Sequence, residues 1–278
     1  MFPIDVSKPE RFLQLLDFSL HSLLQTYGHA FMRRVVLHHP LRTLYGFWRY
    51  WRALGNDTPE ARVLFLDGEE AFVCRAASAG ERLLVGTGFC QKPLRITLSN
   101  GAQNPTINDG CPAGRFSHDC LYLSRLKLSS ASEPSVHPAC NDCSIRILGH
   151  AALRAGASFV VLTSALDIAH DILFPALEER RFTHILFAIC PYSVEPMSLA
   201  LLICGLEGYL FHYQSGSCAN YQQWLRADRG DKPERTVLSL QSQAHLLRLL
   251  ETIAAYRCLS HSIQPTRYQQ VEHIFQPH

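Results

Sequence analysis

The spacing of hydrophobic and polar residues changes twice along the chain and predicts three kinds of structure. Residues 10–55 place apolar side chains three or four positions apart, which is typical of amphipathic helices, and Pro40 separates two of them. Residues 63–98 contain short apolar runs between turn residues, which predict strands. Beyond residue 143, short apolar runs alternate with helical stretches, and this alternation predicts strand–helix units.

These patterns predict an α/β fold. A parallel sheet with flanking helices is joined by an N-terminal helical pair and by a region of short strands and cysteine-rich loops. We expect three segments: an N-terminal helical segment (1–60), short strands with metal-binding loops (61–143) and an α/β domain (144–278). The predicted strands are 63–66, 71–74, 83–85, 94–98, 159–162, 184–189 and 209–213. The predicted helices that follow the loops are 145–155, 166–180 with Ser164 as its cap, 197–205 and one around Trp224.

The placement of the cysteines is the main clue to function. Seven of the ten cysteines lie at turns or at the ends of predicted strands: Cys90, Cys111, Cys120, Cys140, Cys143, Cys190 and Cys218. Thiols so placed usually ligate a metal or an iron–sulfur cluster, or form disulfides. The other three, Cys74, Cys204 and Cys258, lie in apolar stretches, and we expect them to pack as small core residues.

The expected compartment favours metal ligation over disulfides. With 47% hydrophobic residues and a net charge of +2, the chain has the composition of an ordinary globular protein and carries no strong nucleic-acid signal. It begins without the pattern of a secretory leader, and its most apolar run, 197–206, is too short to span a bilayer. We therefore expect a protein that is cytoplasmic or peripheral to the membrane, where disulfides are rare.

The predicted sheet suggests where these thiols meet. Sites in parallel sheets form beyond the carboxyl ends of the strands, and Cys190 and Cys218 follow two predicted strands. The helix after the C-x-x-C pair should pack on the same sheet. The predicted cofactor site therefore consists of Cys140, Cys143, Cys190 and Cys218. Three turn cysteines remain: Cys90, Cys111 and Cys120. Either they are not ligands, or they complete this site, or they form a second site in which one iron has no cysteine ligand.

The spacing of the thiols bears on the kind of metal. Zinc sites commonly use two tight cysteine pairs, whereas this chain has one pair and several widely spaced cysteines. Iron–sulfur clusters accept scattered thiolates, so we expect one or two clusters of the [4Fe–4S] type, with zinc as the alternative. His118 and His137 could add ligands, although an ordinary surface position is the commoner case for a histidine.

Three further residues are candidates for catalysis. Arg115 could bind an anionic substrate or cluster sulfurs, unless it is an ordinary surface arginine. Asp167 and His170 lie one turn apart near the start of a predicted helix and could act as an acid–base pair, a polar helix face being the alternative. The chain has no P-loop, dinucleotide-binding glycine motif or nucleophile elbow, so whether it is an enzyme stays open.

The segment 30–55 combines arginine with aromatic residues. No acidic residue lies between Asp17 and Asp57, and the segment holds Arg33, Arg34, Arg42, Arg49, Arg52, Tyr45, Phe47, Trp48, Tyr50 and Trp51. Such a segment suits an anionic membrane surface, a nucleic-acid strand or an acidic partner protein. The alternative is a helix pair packed on the main domain, with arginine stems covering aromatic rings.

Residues 111–224 resemble an uncharacterised cysteine-rich family, known as domain of unknown function one hundred and sixteen. The resemblance rests on the order and spacing of five short motifs: Cys111-Pro112-Ala113, the C-x-x-C pair, Leu162-Thr163-Ser164, Ala188-Ile189-Cys190-Pro191, and Gly216-Ser217-Cys218-Ala219-Asn220 before Trp224. The family usually has a richer cysteine string around the C-x-x-C and a glycine-rich turn at the position of Thr163 and Ser164. The resemblance implies a cysteine-ligated metallocentre and no particular reaction.

Two hypotheses of function follow. The first is an iron–sulfur protein in electron or sulfur transfer, with a redox partner or a small-molecule substrate. The second is a zinc-stabilised interaction module that docks on a membrane or partner protein through its arginine-rich N-terminal helices.

We expect Cys140→Ser and Cys143→Ser each to abolish metal binding and to lower the soluble yield sharply. The energy of ligation is partly folding energy, and the loop 100–138 has little core of its own. Metal analysis of the purified variants measures this. Alanine at Cys74, Cys204 or Cys258 is the control and should cost only about 1 kcal/mol of packing; full metal content in either serine variant would contradict the prediction.

Overall fold

The computed structural model describes residues 9–79, 82–97, 106–127, 137–259 and 268–277. The α-helices are α1 (Pro9–Ser22), α2 (Thr26–Phe31), α3 (Pro40–Ala53), α4 (Glu69–Ala79), α5 (Ser144–Arg154), α6 (Ala165–Ile168), α7 (Phe174–Glu178), α8 (Val194–Ile203), α9 (Tyr221–Asp228) and α10 (Leu240–Leu259). The strands are β1 (Ala61–Val63), β2 (Leu83–Gly88), β3 (Leu94–Thr97), β4 (Thr106–Asp109), β5 (Ser158–Leu162), β6 (His184–Ile189), β7 (Glu207–Ser215), β8 (Val237–Leu238), β9 (Tyr268–Val271) and β10 (Ile274–Pro277). Within these ranges, no helix is both long and apolar enough to cross a bilayer.

The main sheet has the strand order β1-β7-β6-β2-β5-β10-β9, with β8 paired to β7. The four central strands, β7, β6, β2 and β5, are parallel to one another. The outer strands are antiparallel: β1 pairs with β7, and β10 pairs with β5 and β9. The predicted α/β class is therefore confirmed, with a parallel centre and antiparallel edges.

Both faces of the sheet are covered by helices. Alternate residues of a strand point to opposite faces, so in β2 Leu83 and Val85 join one core while Leu84 joins the other. Helices α4, α5 and α10 cover the first face, and α1, α3, α7 and α8 cover the second. All six residues of β6 are buried, as expected of a parallel strand that lies between two helical layers.

One predicted strand is wrong. Residues 71–74 belong to helix α4, not to a strand. A four-residue apolar run fits either element, and Glu69 and Glu70 in the first turn favour the helix because they complement its dipole. The buried face of α4 consists of Phe72, Val73 and Ala76, which leaves Cys74 exposed instead of in the core.

The predicted boundaries at residues 60 and 143 lie within one layered fold. Strand β2, from the predicted middle segment, pairs on both sides with strands of the predicted α/β domain. The N-terminal helices are fixed by a buried ionic network. The Arg62 guanidinium donates to Glu195 Oε1 at 2.7 Å and also contacts Asp57, while the Tyr50 hydroxyl donates to Glu195 Oε2 at 2.7 Å. A buried charge needs such partners, so this network joins α3, β1 and α8 firmly.

Candidate metal centres and the adjoining cavity

Three cysteines lie at the carboxyl edge of the parallel strands. From β2 the chain adds β5 on one side, then returns to add β6 on the other, so the carboxyl ends of β2 and β6 adjoin at a topological switch point. Such points are where open α/β sheets form binding crevices. Cys90 follows β2, Cys190 follows β6 directly, and Cys218 follows β7. We call these residues the three-thiol group.

The thiols of this group shift one another's pKa values through direct contact. Contact with Cys190 and a hydrogen bond from Thr236 Oγ1, at 3.0 Å from the Cys90 sulfur, lower the pKa of Cys90. The Cys218 thiol lowers the pKa of Cys190, but Cys90 and burial raise it more strongly, to about 11. Contact with Cys190, and then burial, raise the pKa of Cys218, against the opposing effect of Lys232. The Thr236 hydroxyl and the Cys190 thiol therefore both stabilise negative charge at Cys90.

Gly88 makes room for this group. A Cβ at Gly88 would lie 3.0 Å from the Cys90 sulfur and 3.0 Å from the Tyr213 hydroxyl. That hydroxyl accepts a hydrogen bond from the Gly88 amide at 2.8 Å and donates to the Ala188 carbonyl at 2.6 Å. The ends of three neighbouring strands are thus tied together immediately beneath Cys90.

The other four turn cysteines form a second set, the four-thiol group: Cys111, Cys120, Cys140 and Cys143. Burial raises the pKa of Cys140 and Cys143, and the charge of Cys111 raises both further. Burial also raises the pKa of Cys120, to about 11, although the backbone N–H groups of Leu123 and Tyr122 oppose it. The backbone amides of Arg146 and Ile145 likewise lower the pKa of Cys143, against the effect of burial. At each of these two cysteines, the backbone amides of the second and third following residues therefore donate hydrogen bonds to the sulfur.

A buried lysine organises the loop that carries half of this group. Lys92 is 1% exposed, and its ammonium donates to the carbonyl oxygens of Gly114, Ser117 and Asp119 at 2.7–2.9 Å. Burial lowers its pKa, while the charges of Cys111, Cys120 and Cys143 raise it. The loop therefore wraps around a positive charge that faces the thiols.

Arginines connect the two groups. Arg115, 6% exposed, donates to the Cys90 carbonyl at 3.3 Å and contacts the Glu234 carbonyl. Arg235 donates to the Gln91 carbonyl at 3.2 Å and to the Asp142 carbonyl at 2.7 Å. Arg115 is buried and so is not the ordinary surface arginine of the alternative; its contacts help to hold the loop, its charge lowers the pKa of Cys90, and its binding of an anionic substrate or cluster sulfurs stays a prediction.

The thiols therefore divide differently from the expected site. Cys140 and Cys143 were predicted to meet Cys190 and Cys218, but the neighbours that act most strongly on Cys190 and Cys218 are Cys90 and each other. The C-x-x-C pair instead joins Cys111 and Cys120. The reason is the strand order, which puts Cys90 at the switch point. The predicted site of Cys140, Cys143, Cys190 and Cys218, with or without a second site of Cys90, Cys111 and Cys120, stays a prediction; the contacts among the thiols define another grouping, with Cys90 beside Cys190 and Cys218.

Asp167 and His170 occupy different surroundings. The Asp167 carboxylate accepts from the Thr163 and Ser164 hydroxyls at 2.6 and 2.7 Å and completes a capping box at the start of α6, with Ser164 as the predicted cap. His170 is exposed, and its ring lies edge-on to Phe174. Among the described residues, the walls of the cavity beside the three-thiol group include neither of them, nor Arg115.

Neither histidine considered as a ligand joins a thiol group by the contacts observed. His137 accepts a hydrogen bond from the Ala139 amide at 3.3 Å, which caps the turn before the C-x-x-C. His118 lies with Asp171 and His273 in a set whose ligand atoms are within 4.8 Å of one another. The His118 and His273 rings are stacked 3.8 Å apart and nearly parallel, so their in-plane lone pairs do not converge on one ion. His118 also donates to the Val161 carbonyl at 3.0 Å.

A cavity of about 380 Å³ opens beside the three-thiol group. Cys90, Cys190 and Cys218 lie on its wall at the strand ends, together with Lys232 and Asp228. The rest of the wall is largely apolar and comes from α1, α2, α3, α6, α8 and α9. Sequence patterns indicated the thiols and a crevice at the carboxyl edge of the sheet, but not the apolar wall from the N-terminal helices, because those helices are remote in the chain. The roles of Lys92 and Lys232 could not be predicted from the sequence either, because a single lysine before a proline is not a recognisable motif.

Comparisons with protein-family models, with curated proteins and with solved structures find no match to this chain. The resemblance of residues 111–224 to the cysteine-rich family therefore stays a prediction, and the functional argument rests on geometry.

We expect Lys92→Met to loosen the loop 110–120. The variant keeps most of the side-chain volume but loses three hydrogen bonds from a charged donor, each worth about 1.5–3 kcal/mol. Hydrogen exchange of the backbone amides in this loop should become about ten- to a hundredfold faster. Lys127→Met, at an exposed lysine, is the matched control and should leave this exchange unchanged. Equal exchange in the two variants would show that Lys92 does not hold the loop.

Proposed function

We propose that the protein is an iron–sulfur protein with two cysteine-ligated centres, which acts in electron or sulfur transfer. The four-thiol group would hold one cluster completely, and the three-thiol group would hold a second whose remaining iron faces the cavity. The observation that carries this proposal is the division of seven turn cysteines into a group of four and a group of three, with the group of three on the wall of a cavity.

Buried positive charge supports the proposal. Lys92 is 1% exposed, and the charges of Cys111, Cys120 and Cys143 raise its pKa. Lys92 is bonded to carbonyl oxygens, which carry no full negative charge. A buried cation is costly unless negative charge lies nearby. Thiolates ligating a metal would supply that charge, whereas seven neutral thiols would not.

Donors aimed at sulfur support it as well. Hydrogen bonds to sulfur stabilise thiolates and tune bound clusters. Here the backbone amides that follow Cys120 and Cys143 donate to the sulfurs of those residues, and the Thr236 hydroxyl donates to the Cys90 sulfur. The Gln91 side-chain nitrogen, beside Cys90 in sequence and fully buried, has no hydrogen-bond partner among the described residues. It is a donor that a sulfur ligand could accept from.

At the four-thiol group, the spacing of the thiols favours a cluster over zinc; in the three-thiol group Cys190 contacts both Cys90 and Cys218, so spacing does not distinguish the two metals there. Four thiolates around zinc lie about 2.3 Å from the metal, and hence less than ~4 Å from one another. In the described part of the chain, the set of potential ligand atoms within 4.8 Å of one another contains no cysteine. A cluster holds its thiolates farther apart because each binds a different iron. Zinc at the four-thiol group remains the alternative that the experiment below distinguishes.

The residues of the chain would have separate tasks around such centres. Lys92 and the amides of the two turns would hold the first in place, away from the cavity. At the second, Thr236 and Lys232 would hydrogen-bond to ligating sulfurs, and Gly88 would keep the space around Cys90 free. A cluster bound there would supply an iron open to a small-molecule substrate.

Anaerobically purified or reconstituted protein should contain about eight iron and eight sulfide per chain, with broad visible absorption. Cys190→Ser and Cys120→Ser should each lower both contents to about four, because each removes a ligand of a different centre. Iron, sulfide and zinc analysis of the same samples measures this. The control is Cys204→Ala, at a cysteine buried among apolar residues and away from both groups, which should keep the full content.

Two results would contradict the proposal. One is colourless protein with stoichiometric zinc, which would leave the zinc-stabilised module. The other is loss of all iron from both serine variants while each remains folded by circular dichroism, since this would mean a single centre.

Docking on an anionic membrane is a second candidate function, and the outer face of the N-terminal helices favours it. This face exposes Leu13, Leu16, Leu20, Leu24, Leu37, Leu41, Leu44, Tyr45 and Trp48. Contiguous exposed apolar surface on one helical layer usually marks an interaction site. Arg33 and Arg52 are exposed beside it, and no acidic residue lies between Asp17 and Asp57. Apolar side chains ringed by positive charge suit anionic lipid.

The alternative assigned to these arginines, packing on the main domain, holds for some of them. Arg34 pairs with Glu178 at 2.6 Å and lies over the Phe174 ring, and Arg49 pairs with Glu207 at 3.1 Å. These side chains attach the helical layer to the sheet domain. Arg33 and Arg52 are left for a partner surface.

Vesicles that contain phosphatidylserine should co-sediment the full chain, and Leu41→Glu should weaken this binding at least about tenfold. A buried leucine side chain is worth about 1.5–3 kcal/mol, and the glutamate adds repulsion from the lipid. Leu240→Glu is the control, since Leu240 is 87% exposed at the start of α10, outside this helical layer. Equal loss in both variants, or equal binding to neutral vesicles, would argue against the proposed surface.

A further inference from the structure

The cavity follows α8. This helix lines it on one face with Pro196, Met197, Leu199, Ala200 and Ile203. With a rise of 1.5 Å per residue, the ten steps from Ser193, which also lines the cavity, to Ile203 span about 15 Å. A cavity that follows a helix over this distance suits an extended chain.

The inner end of the cavity is polar. It lies at the strand ends, where Ser193 precedes α8 and where the three thiols and Lys232 line the wall. Lys232 is 5% exposed and supplies the cationic group of the described wall. Its ammonium has three donors, and Glu234 takes one of them at 3.0 Å. An anionic group that enters here would find a preplaced, largely desolvated cation.

Asp228 is the acidic group on the described wall and would oppose an anion. Its carboxylate accepts a hydrogen bond from the Ala165 amide at 2.5 Å, which anchors it at the start of α6. Burial raises the pKa of its carboxyl. Of the three Lys232 donors, Glu234 takes one and Cys218 a second, and the third is the donor that the inner end offers to an anionic group.

The outer end is apolar and open. At the Ile203 end of α8, the wall is completed by Met32, Val36 and Phe47 of the N-terminal helical layer. Gly46 approaches the Ile203 backbone so closely that an added Cβ would lie 2.5 Å away, which brings Phe47 to this end. Phe47 and Leu23 both line the cavity and are about 40% exposed, so its mouth opens on the exposed apolar face described above.

From this geometry we propose that the cavity binds a long-chain aliphatic carboxylate, with its carboxylate beside Lys232 and the three thiols and its alkyl chain along α8 toward the mouth. The cationic inner end selects the carboxylate, and the apolar walls select the alkyl chain. The distance to the mouth sets the length of that chain. The proposal adds a ligand to the cavity of the proposed function, and the carboxylate would lie next to any metal that the three thiols hold.

The test is calorimetric titration of the full chain with octanoate, decanoate, dodecanoate and tetradecanoate below their micelle concentrations. Affinity should rise about fourfold with each added methylene until the chain reaches the mouth. The alkan-1-ol and the alkyltrimethylammonium of the same length should bind at least tenfold more weakly than the carboxylate. Equal affinity for all three end groups would overturn the assignment of the carboxylate.

Two variants locate the binding. Ala200→Phe puts a ring into the middle of the cavity and should abolish binding of every chain length; Ala255→Phe, at an exposed position of α10, is its control. Lys232→Met should remove the preference for carboxylate over alcohol but keep the dependence on chain length, and so tests the proposal even if Ala200→Phe does not fold. Unchanged binding in a folded Ala200→Phe protein, or unchanged preference in Lys232→Met, would refute the proposed site. Iron measured in the same samples tests the metal proposal separately.

Discussion

Parallel hydrogen bonding of β2 on both of its edges determines where the candidate site forms. Because β5 and β6 both run parallel to β2, the segments that follow β2 and β6 leave the sheet at one edge, with no helix between them. Cys90 and Cys190 are brought together in this way, and β7 adds Cys218 at the same edge. The antiparallel strands β1 and β10 extend the sheet without disturbing this edge.

Charge burial is the second constraint, and it explains why the loop region has a defined shape with so small a core. Lys92 reaches back from the end of β2 and takes three carbonyls of the loop 110–120, which satisfies backbone acceptors that a loop otherwise leaves to water. The same ammonium needs negative charge near it, and the nearest titratable groups include three thiols. Loop order and thiol ionisation are therefore coupled, so that a bound metal would stabilise both together.

Features that depend on the residues of a single helix or strand could be predicted from the sequence. The bounds of β6 were predicted correctly because a strand buried on both faces is a continuous apolar run, and Ser164 was recognised as a cap from its local pattern. The grouping of the thiols required the strand order, which no local pattern contains. Cys258, expected in the core from its apolar neighbours, is exposed near the end of α10, since the buried face there continues through Ile253. The crevice at the strand ends was expected, but its apolar wall was missed because that wall comes from the N-terminal helices, far from the strands in sequence.

The N-terminal helices have two apolar faces, and folding requires only one of them. The inner face is fixed by the network of Arg62, Glu195 and Tyr50, so the helical layer is a rigid wall of the cavity. Nothing in this network requires the outer face to expose Leu41 and Leu44 around the mouth, and exposed leucines favour association in water. A mouth within an apolar face does have a consequence for an aliphatic ligand. The chain could pass from a lipid surface into the cavity without crossing water, and its hydrophobic transfer energy would not oppose entry.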